Sequence, residues 1–255
     1  MASNDTIGKT VGVALALCIV CSVVVSTAAV MLKPAQIANK SLDFKRNILA
    51  AAGLLEEGVS VEEQFKQITT KLVDMETGEF TEVPEGVDKY DQRKMSKDPA
   101  RSVALSGDED IAKISRRVNV TKVYLVESAN GVETVILPIK GYGLWSTLYG
   151  FLALGSDFNT VVGFGFYEHA ETPGLGGEVD NPAWKALFPG KKAYDEEGNV
   201  GLTVIKGKAA ADSDYEIDGL SGATLTARGV DNLIKFWLGD KGYAGFLNNL
   251  KNGEA

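Results

Sequence analysis

The stretch "DGLSGATLTARG", residues 218–229, places an acid, small residues and three hydroxyl side chains directly before a helical pattern. Asp218 can fix a turn, and Ser221 can cap a helix whose first turn holds residues 222–224. The free N–H groups and the dipole of such a first turn favour a phosphate, beside which Thr224 would place its hydroxyl. On spacing alone a well-capped helix is the simpler interpretation, but it does not explain why these residue types occur as a set.

Two glycine-rich stretches could contribute to the same chemistry. "HAETPGLGGEV", residues 169–179, predicts a turn whose open N–H groups can hold an anion or the polar edge of a flat ring, with Leu175 as an apolar contact. "GYGLW", residues 141–145, ends in Trp145, which could stack on such a ring. The alternatives are an ordinary glycine-rich loop and a tryptophan in the core. The single histidine, His169, indicates a hydrogen-bonding residue rather than a catalytic one.

Composition limits the classes of function. The chain has 255 residues, 45% hydrophobic and 24% charged, which is typical of a packed globular core. The net charge of -8 and the lack of a Lys/Arg cluster argue against nucleic-acid binding. Both cysteines, Cys18 and Cys21, lie in the most apolar segment, so the remainder has no disulfide, thiolate-bound metal or thiol nucleophile. Their C-x-x-C spacing is interpreted as helix packing rather than as a redox pair. One histidine also argues against a histidine metal site.

The most apolar segment, residues 11–32, is an uncharged run of 22 residues. As a helix rising about 1.5 Å per residue, it would cross a hydrocarbon core of about 30 Å. A cleaved signal peptide has a basic head and an apolar region of only about 7–15 residues, whereas the head here has one Lys and one Asp. An uncleaved anchor is therefore favoured over a signal peptide. A lipoprotein site at Cys18 is disfavoured, because apolar residues lie on both sides of it.

The sequence predicts four segments. They are an N-terminal tail at 1–10, a transmembrane anchor at 11–33, a stalk helix at 34–58 and a main domain at 59–255. Positive charge is greater after the anchor than before it, which by itself would put the main domain in the cytoplasm. The residues concerned are Lys33, Lys40, Lys45 and Arg46 after the anchor, and Lys9 before it.

The main domain is predicted to be α+β, with helices packed on a curved antiparallel sheet. Residues 121–127 and 132–141 are β-rich and flank "SANG", in which Asn-Gly is a strong hairpin signal. "LYGFLALGSD" and "TVVGFGFYEHAE" repeat the arrangement, so about four strands joined by short turns are expected. Residues 59–114 are interpreted as short helices and polar turns.

Three elements are predicted after the sheet. "NPAWKALF" predicts a short helix with Asn181 as N-cap and Pro182 in the first position, and "GLTVIKG" predicts a strand. Residues 223–239 predict a helix with one apolar side. That side would comprise Leu225, Val230, Leu233, Ile234 and Trp237.

A family resemblance adds to these patterns. "DGLSGAT" resembles the flavinylation motif Asp-x-x-(Ser/Thr)-Gly-Ala-(Ser/Thr), in whose proteins FMN is joined through its phosphate to the final hydroxyl. "ETPGLGGEV" and "GLW" are similar to other stretches of the same FMN-binding domain. Over nearly its whole length the chain resembles the C subunits of sodium-translocating NADH:quinone oxidoreductases. The G subunits of Rnf ferredoxin–NAD oxidoreductases are the alternative, but "GLGGEVDNPAW" and "SGATLT" favour the quinone reductases.

The resemblance implies an electron-relaying protein with covalent FMN on Thr224, one of six subunits of a complex in the bacterial inner membrane. It implies a flavin-attaching transferase during maturation and a periplasmic main domain. The periplasmic side is preferred to the charge count, because large domains can translocate despite modest flanking charge. The expected cofactor-binding residues are Leu144, Trp145, Glu171, Thr172, Gly174, Leu175, Gly176, Lys206, Asp218, Ser221, Gly222, Ala223 and Thr224.

No residue of the chain is required as a catalytic acid or base, because the redox chemistry belongs to the flavin. No metal site is predicted, and no complete site for NADH or quinone. A membrane-anchored module that binds a small ligand without redox chemistry remains the alternative from another class.

Overall fold

The computed structural model describes residues 6–129 and 131–255. Its helices are α1 Ile7–Ala51, α2 Val61–Gln64, α3 Gln92–Met95, α4 Pro182–Lys185, α5 Thr224–Leu238 and α6 Ala244–Asn252, with single 3-10 turns at Phe65–Gln67 and Gly176–Asp180. Its strands are β1 Ile68–Asp74, β2 Phe80–Thr81, β3 Ser102–Ala104, β4 Arg116–Val118, β5 Val120–Ser128, β6 Gly131–Tyr142, β7 Thr147–Gly155, β8 Val161–Glu168, β9 Thr203–Val204 and β10 Glu216–Ile217.

Helix α1 is long and apolar enough to cross a membrane, as judged by its length and composition. It continues past Pro34 without a break and ends at Ala51, before the end of the predicted stalk helix at residue 58. The chain divides into two compact units after Phe44. Ile48 and Leu49, in the last turns of α1, belong to the second unit and are fully buried there.

The main sheet has six strands in the order β2-β1-β5-β6-β7-β8, and every neighbouring pair is antiparallel. The predicted run of four strands in hairpin order is confirmed as β5 to β8. Asn130, in the first predicted turn, lies outside the described residues. The sheet remains open, and its mixed helix and antiparallel-sheet class agrees with the sequence prediction.

The expectation of only helices and turns over residues 59–114 is wrong, because β1 lies there and forms an inner strand of the sheet. It pairs with β5 from Ile68↔Val126 to Asp74↔Val120, some fifty residues along the chain. Residues 69–71, Thr-Thr-Lys, are three successive polar residues, so the local sequence lacks the alternation that marks a strand. The pairing that creates β1 is therefore non-local.

Helix α5 covers one face of the sheet and positions the start of the "SGATLT" segment. Val230, Leu233 and Ile234 are fully buried in the core shared with β6 and β7. Leu225 is 53% exposed, which corrects its predicted place on the apolar side. It precedes Val230 by five residues, about 500° of helical rotation, and so points away from the buried stripe.

The start of α5 also differs from the prediction. The helix begins at Thr224, and the position before it is taken by Ala223, which makes no side-chain cap. Gly222 has φ +72°, and this left-handed turn leaves Ser221 exposed and outside capping position. The predicted Ser221 cap is therefore wrong, and the helix start has no side-chain cap.

The other predicted elements after the sheet are present. Asn181 caps α4 by accepting a hydrogen bond from the Ala183 N–H at 2.9 Å, with Pro182 in the first position, which confirms that prediction. The strand in "GLTVIKG" is only the two-residue β9, paired parallel with β10. This short ribbon leads into the segment around Asp218.

Candidate functional site

The three stretches singled out by sequence lie together at one end of the sheet. Residues 141–146 contain the end of β6 and its connection to β7, residues 169–177 follow β8, and residues 218–226 contain the start of α5. A Cβ built on Gly222 would lie 3.2 Å from Leu175, so the second and third stretches are in contact. The loop after β8 and the segment that leads into α5 are therefore parts of one surface.

The Glu171 carboxylate joins all three stretches. It is only 5% exposed. Its Oε1 accepts from the N–H groups of Trp145 and Ser146, both at 3.0 Å, and from Leu144 at 3.2 Å. Its Oε2 accepts from the Thr226 hydroxyl at 2.8 Å. Burial acts to raise the pKa of Glu171, but the donors from Trp145, Thr226, Leu144 and Ser146 together hold this pKa below its usual value, so the group remains charged.

Two glycines let the loops approach this carboxylate. A Cβ on Gly143 would lie 2.7 Å from Glu171 Oε1, and one on Gly176 would lie 2.6 Å from Thr226 Oγ1 and 2.8 Å from Glu171 Oε2. Gly174 differs, because it has φ +74° with no atom within 4 Å of its Cβ position. The loop therefore needs glycine for space at Gly176 and for backbone conformation at Gly174.

The two threonines of "ATLT" have opposite environments. Thr224 is exposed at the first position of α5, whereas Thr226 is 0% exposed and donates to Glu171. Among the described residues, the backbone N–H groups of Thr224, Leu225 and Thr226 have no hydrogen-bond partner. An uncapped helix start with a free hydroxyl at its first residue is suited to a phosphate group.

Thr224 lines a cleft of about 150 Å³ together with two cationic residues, Lys206 and Arg228. Lys206 was expected from the sequence, but Arg228 was missed. Its distance from Thr224 along the sequence could have identified it, because a residue four positions after Thr224 lies on the same helical face. Asp218 fixes the loop after Lys206, since its Oδ1 accepts from the Ala209 N–H at 2.8 Å.

Large apolar side chains are exposed beside the carboxylate. Trp145 is 65% exposed, Leu175 46% and Leu144 36%. The alternative that Trp145 is a core residue is therefore wrong. Exposed apolar groups gathered in one place are typical of a ligand or partner site. The turn beneath Leu175 is closed by the Thr172 carbonyl, which accepts from the N–H groups of Leu175 and Gly177 at 3.1 and 2.9 Å.

His169 is a hydrogen-bonding residue, as expected. Its Nδ1 accepts from the Glu171 N–H at 3.2 Å, so Nε2 carries the proton donated to Asp180 Oδ2 at 2.7 Å. The histidine thus orients the backbone at Glu171. In the part of the chain that the structure describes, no group of His, Cys, Asp and Glu could hold a metal ion.

The chain is similar to known proteins over the residues that form this surface and beyond them. Residues 143–239 match the model of the FMN-binding domain. The chain is 53% identical to the C subunit of the Na(+)-translocating NADH-quinone reductase of Pseudomonas aeruginosa, over 100% of both chains. It is 50% identical to the C subunit of the same reductase of Vibrio vulnificus, over 99% of both chains.

A solved structure gives the same assignment. The crystal structure of Shewanella oneidensis NqrC matches with a TM-score of 0.78 and 35% identity, covering 84% of this chain and 99% of that one. These relatives favour the quinone reductase over the Rnf alternative. The chain therefore belongs to the family of Na(+)-translocating NADH-quinone reductase C subunits, and it carries that family's FMN-binding domain.

Proposed function

We propose that the chain carries FMN covalently on Thr224, as a phosphoester, and relays electrons within the sodium-translocating NADH:quinone oxidoreductase complex. The observation that carries this proposal is the contrast between the two hydroxyls of "ATLT". Thr224 is exposed at an uncapped helix start, whereas Thr226 is buried and bonded to Glu171. Only Thr224 has the surroundings needed to accept a bulky phosphate-linked group.

The residues around Thr224 suit the phosphate. The free N–H groups of the first turn of α5 would donate to its oxygens, assisted by the helix dipole. Lys206 and Arg228 line the same cleft and would balance its negative charge. Ser221, Gly222 and Ala223 form the turn before the helix, and the small side chains leave room for the group to approach.

The exposed apolar residues suit a flat ring. Trp145 would stack on it, while Leu144 and Leu175 would contact it from the loops on either side. Thr172 and Gly174 would present backbone groups to its polar edge, and Gly176, which is buried against Glu171 and Thr226, would shape the loop. FMN itself supplies the one- and two-electron chemistry, and the protein supplies attachment, placement and electrostatics.

The proposed setting is the bacterial inner membrane, with α1 as a single-pass anchor and the main domain on the periplasmic face. The length and apolar composition of α1 support the anchor, and the family topology supports the side. In a complex of six subunits, the other five would be its partners. A flavin-attaching transferase would be the partner in maturation.

The mass of the intact, denatured chain tests the attachment. Full-length protein purified after coexpression with the attaching transferase should carry the added mass and absorbance of FMN. Thr224→Val removes the hydroxyl but keeps the shape of the side chain, so it should lose both signals. A colourless wild type of unmodified mass would favour the ligand-binding module instead. Retention of the added mass in Thr224→Val would show that the attachment residue is another one.

A further inference from the structure

We propose that Glu171 is a positioning residue that locks the Trp145 loop to helix α5, so that the flavin is carried and stacked in one fixed geometry. Because it concerns placement of the flavin, this inference rests on the proposed function. Its physical basis is the buried carboxylate, which connects the loop of residues 144–146 to Thr226. We call this loop the tryptophan loop.

The tryptophan loop depends on this carboxylate for its backbone hydrogen bonds. In the described residues, the N–H groups of Leu144, Trp145 and Ser146 donate to Glu171 and to no other group. The Ser146 hydroxyl also lies 3.2 Å from Oε1 and accepts from the Ala170 N–H at 2.8 Å. Without the charge, the three consecutive donors would have only a weaker, neutral acceptor, and Trp145 would be held less firmly in one direction.

The same carboxylate holds the first turn of α5, in agreement with the rotation that the buried side chains of this helix impose. Thr226 donates to it from the buried side of the helix. Residues two apart on a helix point about 200° apart, so holding Thr226 inward turns Thr224 outward into the cleft. The backbone at Gly143 and Gly176 approaches the carboxylate so closely that a side chain at either position would have to displace it.

Glu178 provides a matched control within the same glycine-rich segment. Its Oε2 accepts from the Asn181 side chain at 2.7 Å in an exposed position. E178Q therefore removes a neighbouring carboxylate without touching the tryptophan loop. T226S and T226V form a second matched pair, because serine keeps the donor that valine lacks.

The test measures amide hydrogen exchange in the flavin-free, full-length protein in detergent. Residues 144–146 should exchange about tenfold faster or more in E171Q, while E178Q stays like the wild type. In the flavinylated protein, a stacked Trp145 quenches flavin fluorescence. Part of this quenching should be lost in E171Q and T226V and retained in T226S. If E171Q does not fold, the T226V and T226S pair decides the question.

Two results would overturn the inference. One is wild-type exchange of residues 144–146 together with wild-type fluorescence in E171Q and T226V. The other is faster exchange spread equally over the β6 core and the tryptophan loop, which would make Glu171 a residue for general stability. A wild type without FMN mass would instead overturn the proposed function. The exchange data would still show whether Glu171 stabilises the tryptophan loop.

Discussion

Arg228 and Lys206 bring two positive charges to the cleft that contains Thr224. A phosphate held there would gain charge-assisted hydrogen bonds, which are stronger than neutral ones. We therefore expect R228Q and K206Q each to lower the yield of flavinylated protein several-fold during a short coexpression with the transferase. The fraction carrying FMN mass measures this yield.

Lys208 supplies the control for these two variants, because it is exposed on the same loop but does not line the cleft. K208Q should flavinylate at the wild-type rate. If K208Q and R228Q reduced the yield equally, the effect would come from the overall charge of the surface. The assignment of Arg228 to the phosphate would then be wrong.

The charge of Glu171 should affect the stability of the protein in acid. Its donors keep the pKa below the ordinary value of 4.5, so ionised Glu171 stabilises the folded state above about pH 4.5. This stabilisation is lost as the pH falls through the lowered pKa of the folded protein. The difference in thermal stability between wild type and E171Q should therefore shrink below pH 4.5. A difference that is constant from pH 7 to pH 3 would contradict this prediction.

At the scale of elements, the loop after β8 contains two glycines that are needed for different reasons. Alanine at Gly174 must adopt φ +74° in open space, which costs about 1–2 kcal/mol. Alanine at Gly176 would have to displace the hydrogen-bonded pair of Thr226 and Glu171, so its cost should be larger, at least about 2 kcal/mol.

Thermal unfolding of the flavin-free protein measures both costs. G176A should have the lower melting temperature, and it alone should accelerate amide exchange in the tryptophan loop. Equal melting temperatures for the two variants would mean that the Thr226–Glu171 pair moves aside at little cost. The tight packing seen at Gly176 would then not constrain the loop.

These elements also show which features local sequence can reveal. Strands β5 to β8 were predictable, because each is long, apolar and joined to the next by a short turn. Strand β1 was not, since its partner β5 is distant in sequence. Glu171 was expected at the site, but its role was hidden, because its donors come from two other segments of the chain. Leu225 shows that an apolar residue on a helix is buried only if its direction around the helix axis faces the core.

At the scale of the whole molecule, the end of α1 is part of the folded domain. Ile48 and Leu49 are 0% exposed within the second unit. The neighbouring Ala51 lies against β8, where a Cβ on Gly163 would meet its carbonyl group. Helix α1 therefore contains both the apolar segment, which belongs to the first unit, and last turns that pack in the core of the second.

Two truncations test this division. Deleting residues 1–33 removes most of the apolar run and keeps Ile48 and Leu49, so the remainder should be monodisperse in detergent-free buffer and should melt cooperatively. Deleting residues 1–53 removes both buried side chains, each of which contributes about 1.5–3 kcal/mol. The longer deletion should therefore lower the free energy of unfolding by about 3–6 kcal/mol, observed as a much lower melting temperature or as failure to fold.

Size-exclusion chromatography and thermal melts compare the two deletions. Aggregation of the shorter deletion would show that the domain needs its apolar segment to fold, and equal melting temperatures would show that the end of α1 is not part of its core.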